Sequence, residues 1–217
     1  LNEHVLNGGP IAKYTKISSD IACLAEPLAC AINGVDKALR CFTAGVPKNA
    51  LIFGGGPMGM LIAEYLFSNN INDITIVEMN DPRISFIKEN TSFKALKKID
   101  NDMKYDLIFT ACPAIETHKL ALDLINTSGV VNFFGGLPPE AGTIQLNSNS
   151  VHYSESVLMG THGSTPSQHS KALELLESGN IDLNYLITHK FNLSNIDEAL
   201  DVARSGLGQK IIINPNE

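Results

Sequence analysis

Residues 50–59 read Ala50-Leu51-Ile52-Phe53-Gly54-Gly55-Gly56-Pro57-Met58-Gly59, an apolar run that ends abruptly in glycines. Four apolar residues bounded by a turn signal read as a short buried strand. Met58 to Phe67 follows with apolar residues throughout and reads as a helix. Strand, glycine turn and helix therefore succeed one another without a spacer. A second β-rich run, Ile74-Thr75-Ile76-Val77, ends in Glu78, 19 residues after Gly59.

Gly54, Gly56 and Gly59 fit G-x-G-x-x-G, and the acidic residue at the end of the second strand completes a dinucleotide-binding fingerprint. A bare glycine match is weak, and the competing reading is a glycine turn without a ligand. The strand, the helix and Glu78 carry the stronger one. Gly54 permits the tight turn, Gly56 lets a pyrophosphate approach the backbone, and Gly59 lets helix and strand pack closely. The helix opening at Pro57 and Met58 offers free amides and a positive dipole end to phosphate. Glu78 is expected to accept hydrogen bonds from the adenosine ribose and to repel a 2′-phosphate, which selects NAD over NADP. Met79 supplies no cation. Arg83 lies five residues after Glu78 and is read either as an adenosine contact or as a solvated helix residue.

Outward from this unit the strand–helix alternation continues. Asp81-Pro82 opens a helix to about Asn90, with proline at a tolerated first-turn position. Asp106 to Thr110 is a strand, Glu116 to Ile125 a helix, and Val130 to Phe134 a strand ending in Gly135-Gly136. Ser156 to Met159 is a strand ending at Gly160, and Ser167 to Leu176 a helix stopped by Gly179. Such alternation predicts an α/β fold, a doubly wound parallel Rossmann sheet covered on both faces. Ligands in such sheets sit beyond the carboxyl ends of the strands. That places Ala111 and Cys112, then Phe134, Gly135 and Gly136, then the segment after Gly160, at the site. Cys112 is read as a packing residue, because no base is identifiable near it. In the tail, Tyr185 to Phe191 is extended, a helix runs through Asp197 to Arg204, and Lys210 to Ile213 is a last strand. Asn7-Gly8-Gly9-Pro10 is a turn, and Ser18-Ser19-Asp20 a helix N-cap.

The composition is that of a globular chain: 217 residues, 44% apolar, 18% charged, net charge −7. The acidic balance without a basic cluster argues against nucleic acid or an anionic membrane as partner. No apolar run approaches the roughly 20 residues that span a bilayer, and no signal peptide is legible at the first residues. Cysteines 23, 30, 41 and 112 form no C-x-x-C pair. They are expected to be buried thiols in a reducing, cytoplasmic compartment. One residue does not fit its surroundings. Glu26 sits alone in Ile21-Ala22-Cys23-Leu24-Ala25-Glu26-Pro27-Leu28-Ala29-Cys30-Ala31-Ile32, where burial of an unpaired carboxylate is costly. Pro27 is expected to break or restart the helix there.

Glu26-Pro27-Leu28, the run Val46 to Gly59, Glu78 with Arg83, and Gly129 to Gly136 together resemble the zinc-dependent medium-chain dehydrogenase/reductase superfamily, most closely its sorbitol (L-iditol) dehydrogenase type. The resemblance runs from about Gly8 to the end of the chain. It implies a cofactor domain over 28–182, with 1–27 and 183–217 as parts of a GroES-like catalytic domain. It places Glu26 at the catalytic zinc, as a ligand or through the bound water; the alternative is a glutamate capping the restarted helix. The family's other zinc ligands, a cysteine and a His-Glu pair, lie in an N-terminal domain, and this sequence contains no His-Glu pair. Met58 is placed at the pyrophosphate, Glu78 and Arg83 at the adenosine, and Phe134, Gly135 and Gly136 at the nicotinamide. His162, Gly163 and Ser164 match a second nicotinamide-side segment, with His162 read either as a cofactor contact or as an ordinary loop histidine, although polyol dehydrogenases carry Phe-Arg-Tyr there. Gly163 and Ser164 thus weigh against sorbitol itself. The remaining histidines are read as structural or solvent-facing.

The implied function is the NAD-binding part of a zinc enzyme that oxidises a secondary alcohol of a polyol or sugar derivative to a ketone. This chain alone is expected to bind NAD without turnover. Competing readings are a zinc-free enone or quinone reductase, which has no need of Glu26, and a nucleotide-binding module without catalysis. Relatives pair edge to edge through the last sheet strand, so a homodimer or homotetramer is expected.

Overall fold

The computed structural model describes residues 12–100 and 102–216. The turn expected at Asn7 to Pro10 lies outside them. Ser18 caps a single helical turn, α1 (Ser19–Ala22), its hydroxyl accepting the Ile21 N–H at 3.3 Å. The helix stops after Ala22 and restarts as α2 (Ala25–Cys41), with Pro27 in the first turn of the restarted helix, as expected. Amides of that turn have no helical acceptor, and proline loses nothing there.

Six strands then form one sheet: β1 (Asn49–Phe53), β2 (Asp73–Val77), β3 (Lys94–Leu96), β4 (Tyr105–Thr110), β5 (Ile125–Phe133) and β6 (Val157–Gly160). The order is β3-β2-β1-β4-β5-β6 and every pairing is parallel, the doubly wound Rossmann arrangement. Between them lie α3 (Pro57–Ser68), α4 (Asp81–Asn90), α5 (Ile115–Leu124), α6 (Ser148–Ser154) and α7 (Pro166–Glu177). Leu51 and Phe53 of β1 face a cluster with Ala121 and Leu124 of α5, while Ala50 and Ile52 face α2 and α3. β1 is therefore buried on both faces, which is why it reads as a continuous apolar run.

Two elements were not legible in the sequence. β3 is an edge strand of three residues with only Ala95 buried, too short to show a period. α6, Ser-Asn-Ser-Val-His-Tyr-Ser, buries no residue and carries no amphipathic signal. β5 also begins earlier than expected. Its first residues follow an irregular path, with Ser128 at φ 58° and a register shift against β4.

The tail forms a separate two-stranded parallel sheet, β7 (Ile187–Asn192) with β8 (Lys210–Asn214), joined by α8 (Ile196–Ser205). Tyr185 ties it to the main body by donating to Glu64 of α3 at 2.5 Å. Lys190 pairs with Asp20 of α1 at 2.5 Å. The expected burial of all cysteines is corrected: Cys23 is exposed, and Cys30, Cys41 and Cys112 are half-buried. Among the described residues no helix is long and apolar enough to cross a membrane.

Candidate functional site

Parallel register brings Phe53, Val77 and Thr110 to one level. The residues after them, Gly54, Glu78 and Ala111, consequently meet at the carboxyl edge of the sheet. Backbone bonds lock the edge: Gly54 N–H to Val77 O at 2.8 Å, and Ala111 N–H to Phe53 O at 2.7 Å. Gly54 has φ +105°, and a Cβ on it would lie 2.9 Å from the Ala111 carbonyl oxygen. A Cβ on Gly59 would lie 1.9 Å from the Gly54 carbonyl oxygen. Both glycines are thus required by the backbone itself. Gly56 caps α3, with Pro57 at its first position.

Glu78 is buried and doubly anchored. Its Oε2 accepts the Gly55 N–H at 2.9 Å, and its Oε1 accepts the Asn80 N–H at 2.9 Å. Arg83 Nη1 stands 3.8 Å from Oε2. A carboxylate oxygen has two lone-pair directions, so each oxygen keeps one for a ligand hydroxyl. Around these groups opens a cavity of about 720 Å³. Gly54, Gly56, Pro57, Met58, Glu78, Arg83, Ala111 and Cys112 all line it. So do Met79, Lys97 and Lys98, of which the two lysines were not foreseen. Lys97 is engaged with Asp81 at 2.8 Å.

A smaller cavity of about 200 Å³ is lined by Cys30, Met58, Phe134, Thr161, His162 and Gly163. Met58 lines both cavities and so marks where they adjoin. Gly135, Gly136 and Ser164 line neither. Gly135 instead lets β5 approach β4: its N–H reaches Thr110 O at 2.6 Å, and a Cβ would lie 3.1 Å from that oxygen. Ser164 Oγ pairs with His169 Nε2 at 2.9 Å and lies 3.7 Å from Cys30 Sγ. Cys112 Sγ faces the Thr117 hydroxyl at 3.6 Å, consistent with a packing role. His118 is buried, bonded to Thr110 Oγ1 at 3.2 Å and stacked on Phe133 at 4.8 Å. Burial holds its imidazole below the ordinary histidine range.

Glu26 corrects an expectation. It is exposed rather than buried, one residue into the first turn of α2. There the helix dipole favours a carboxylate, and Leu24, the N-cap, makes no side-chain capping bond. Glu26 Oε1 lies 3.6 Å from Cys30 Sγ, one turn on. Burial, with the Glu26 charge adding to it, pushes the Cys30 thiol up. Among the described residues no three His, Cys, Asp or Glu side chains stand close enough to hold a metal. Cys30 was missed in the sequence, although its i+4 spacing from Glu26 places it on the same face.

A family model described as "Glucose dehydrogenase C-terminus" matches residues 19–211. D-altritol 5-dehydrogenase of Agrobacterium fabrum is 28% identical over 207 residues, covering 88% of this chain and 61% of that protein. L-threonine 3-dehydrogenase of Coxiella burnetii is 27% identical over 211 residues, covering 92% of this chain and 59% of that protein. The chain thus spans about three fifths of the curated relatives it matches. A short chain alcohol dehydrogenase of Escherichia coli CFT073, solved with NADH, superposes with a TM-score of 0.78 at 17% identity, over 92% of this chain and 60% of that one.

Proposed function

The chain belongs to the glucose dehydrogenase C-terminus family, and on that premise we propose that it is the cofactor-binding part of a zinc-dependent NAD alcohol or polyol dehydrogenase. The reaction is oxidation of a secondary alcohol to a ketone by hydride transfer. One observation carries the reading: the 720 Å³ cavity whose floor is the glycine turn and whose wall is Glu78. Residues 28–182 form the cofactor domain, and 1–27 and 183–217 belong to a catalytic domain. The separate two-stranded tail sheet supports that division.

The residues present fit a dinucleotide. Gly54 and Gly59 leave no room for side chains, and the amino end of α3 faces the cavity through Gly56, Pro57 and Met58. Glu78 receives the adenosine ribose, and Arg83 flanks it. Met58, Phe134, His162 and Gly163 shape the nicotinamide end, with Gly135 and Gly136 setting the turn after β5 and Ser164 supporting the loop from behind. When bound, the nicotinamide supplies the hydride acceptor; this chain binds and orients it and excludes water. The zinc site does not close on the described residues. Glu26 and the adjacent Cys30 fall short of the about three protein ligands a catalytic zinc needs. D-altritol oxidation by the relative supports a polyol or sugar derivative as substrate.

Fluorescence titration of the chain with NADH and NADPH tests the reading. Glu78 predicts NADPH binding at least about tenfold weaker, because a buried carboxylate repels the extra phosphate. Equal affinities would remove Glu78 from the argument, and no binding of either would remove the dinucleotide site.

A further inference from the structure

The glycine turn is held from behind by a residue that no fingerprint names. Gln209, in the turn before β8, is only 6% exposed, and its Nε2 donates to the Gly55 carbonyl at 3.0 Å. A carbonyl oxygen only accepts, so the amide nitrogen must face it. Gln209 Oε1 has no hydrogen-bond partner among the described residues, and neither does the buried Arg83 Nε. The Gln209 backbone is itself fixed, its N–H reaching Thr188 Oγ1 of β7 at 3.0 Å. Gly206 of the same turn, at φ +69°, packs against Arg83, where a Cβ would lie 3.5 Å from Nη2.

The peptide between Gly55 and Gly56 is consequently pinned on its carbonyl side by Gln209, while the preceding Gly55 N–H is pinned by Glu78. No peptide bond among the described residues is cis. In a trans peptide the C=O and the following N–H point to opposite sides, so the Gly56 N–H points away from Gln209. Gly56 lines the large cavity and Gln209 does not.

We propose that Gln209 is a positioning residue of the cofactor site, setting the Gly55–Gly56 peptide so that the Gly56 N–H is offered to the diphosphate of a dinucleotide. This rests on the dinucleotide reading above. It makes the C-terminal turn 206–209 part of the cofactor site, although it lies outside the strand–turn–helix unit. Without the amide, the Gly55 carbonyl loses its buried donor and the peptide is free to rotate, which withdraws the Gly56 donor from the ligand.

Displacement of NADH fluorescence by ADP-ribose and, separately, by adenosine tests this on the full chain and on Gln209→Leu and Gln209→Asn. The leucine removes both amide atoms. The asparagine keeps the amide but shortens its reach, and it decides the matter if the leucine variant does not fold. ADP-ribose should bind about tenfold more weakly to both variants, the order of one buried hydrogen bond, with adenosine unchanged. Unchanged ADP-ribose affinity, or equal losses for both ligands, overturns the role of Gln209 alone. An unaltered chain that binds neither NADH nor ADP-ribose overturns the dinucleotide reading and this inference with it.

Discussion

Gly59 is the position in the loop least able to accept a methyl group. Gly59→Ala would drive a Cβ to 1.9 Å from the Gly54 carbonyl oxygen, and relief requires moving β1 and α3 apart. Overpacking against backbone costs about 1–3 kcal/mol or more, so urea unfolding should show at least that loss, together with loss of NADH binding. Gly136→Ala meets nothing within 4 Å and should leave stability within about 0.5 kcal/mol of the parent. His118 gives a pH signature. Its folded pKa lies below the ordinary histidine value because burial disfavours the imidazolium. As pH falls through the ordinary histidine range the unfolded chain takes up the proton first, so stability is lost on acidification and is fully present above that range. Thermal melts across that range should show the decline, and His118→Gln should flatten this part of it. Single residues were also where the sequence was most and least informative. Gly54 and Gly59 announce themselves because only glycine fits. Glu26 misleads, because an apolar stretch of sequence does not show which side of a helix faces outward.

At the scale of elements, three helices are joined by one polar knot. Tyr65 of α3 is almost wholly buried, and its hydroxyl donates to Asp36 of α2 at 2.7 Å. Lys171 of α7 pairs with Asp36 at 3.0 Å and donates to the same Tyr65 oxygen. Lys171→Met keeps the aliphatic length and removes the charge, leaving Asp36 without its cation. A loss of about 1–2 kcal/mol in urea unfolding is expected, the cost of stranding part of a half-buried network; a change below about 0.3 kcal/mol would show that solvent replaces the lysine. None of these partners was legible beforehand, since they lie on three helices far apart in sequence. The elements themselves were legible wherever burial imposes a period. β1 and α3 are apolar because both are enclosed, whereas β3 and α6 bury almost nothing and leave no trace in the pattern.

At the scale of the whole molecule, the sheet ends asymmetrically. One edge strand, β3, spans three residues and alternates with exposed lysine and leucine, features that discourage further pairing. The other, β6 (Val157–Gly160), is half-buried and continuous. Tyr153, at 79% exposure, lies in the helix that leads into it. Among the described residues β6 pairs only with β5, and such an edge leaves a row of backbone donors and acceptors that a second copy can satisfy. A dimer joined through β6 is the expected arrangement. Sedimentation equilibrium should then give twice the 23.4 kDa chain mass, and the β6 amides should exchange hydrogen more slowly as protein concentration rises. A monomeric mass with concentration-independent exchange at β6 would mean that this edge is satisfied by water alone. The distinction reaches the candidate site, because β5 pairs with β6 and carries Phe134, which lines the smaller cavity, just beyond its end, so a dimer through β6 would brace that side of the site.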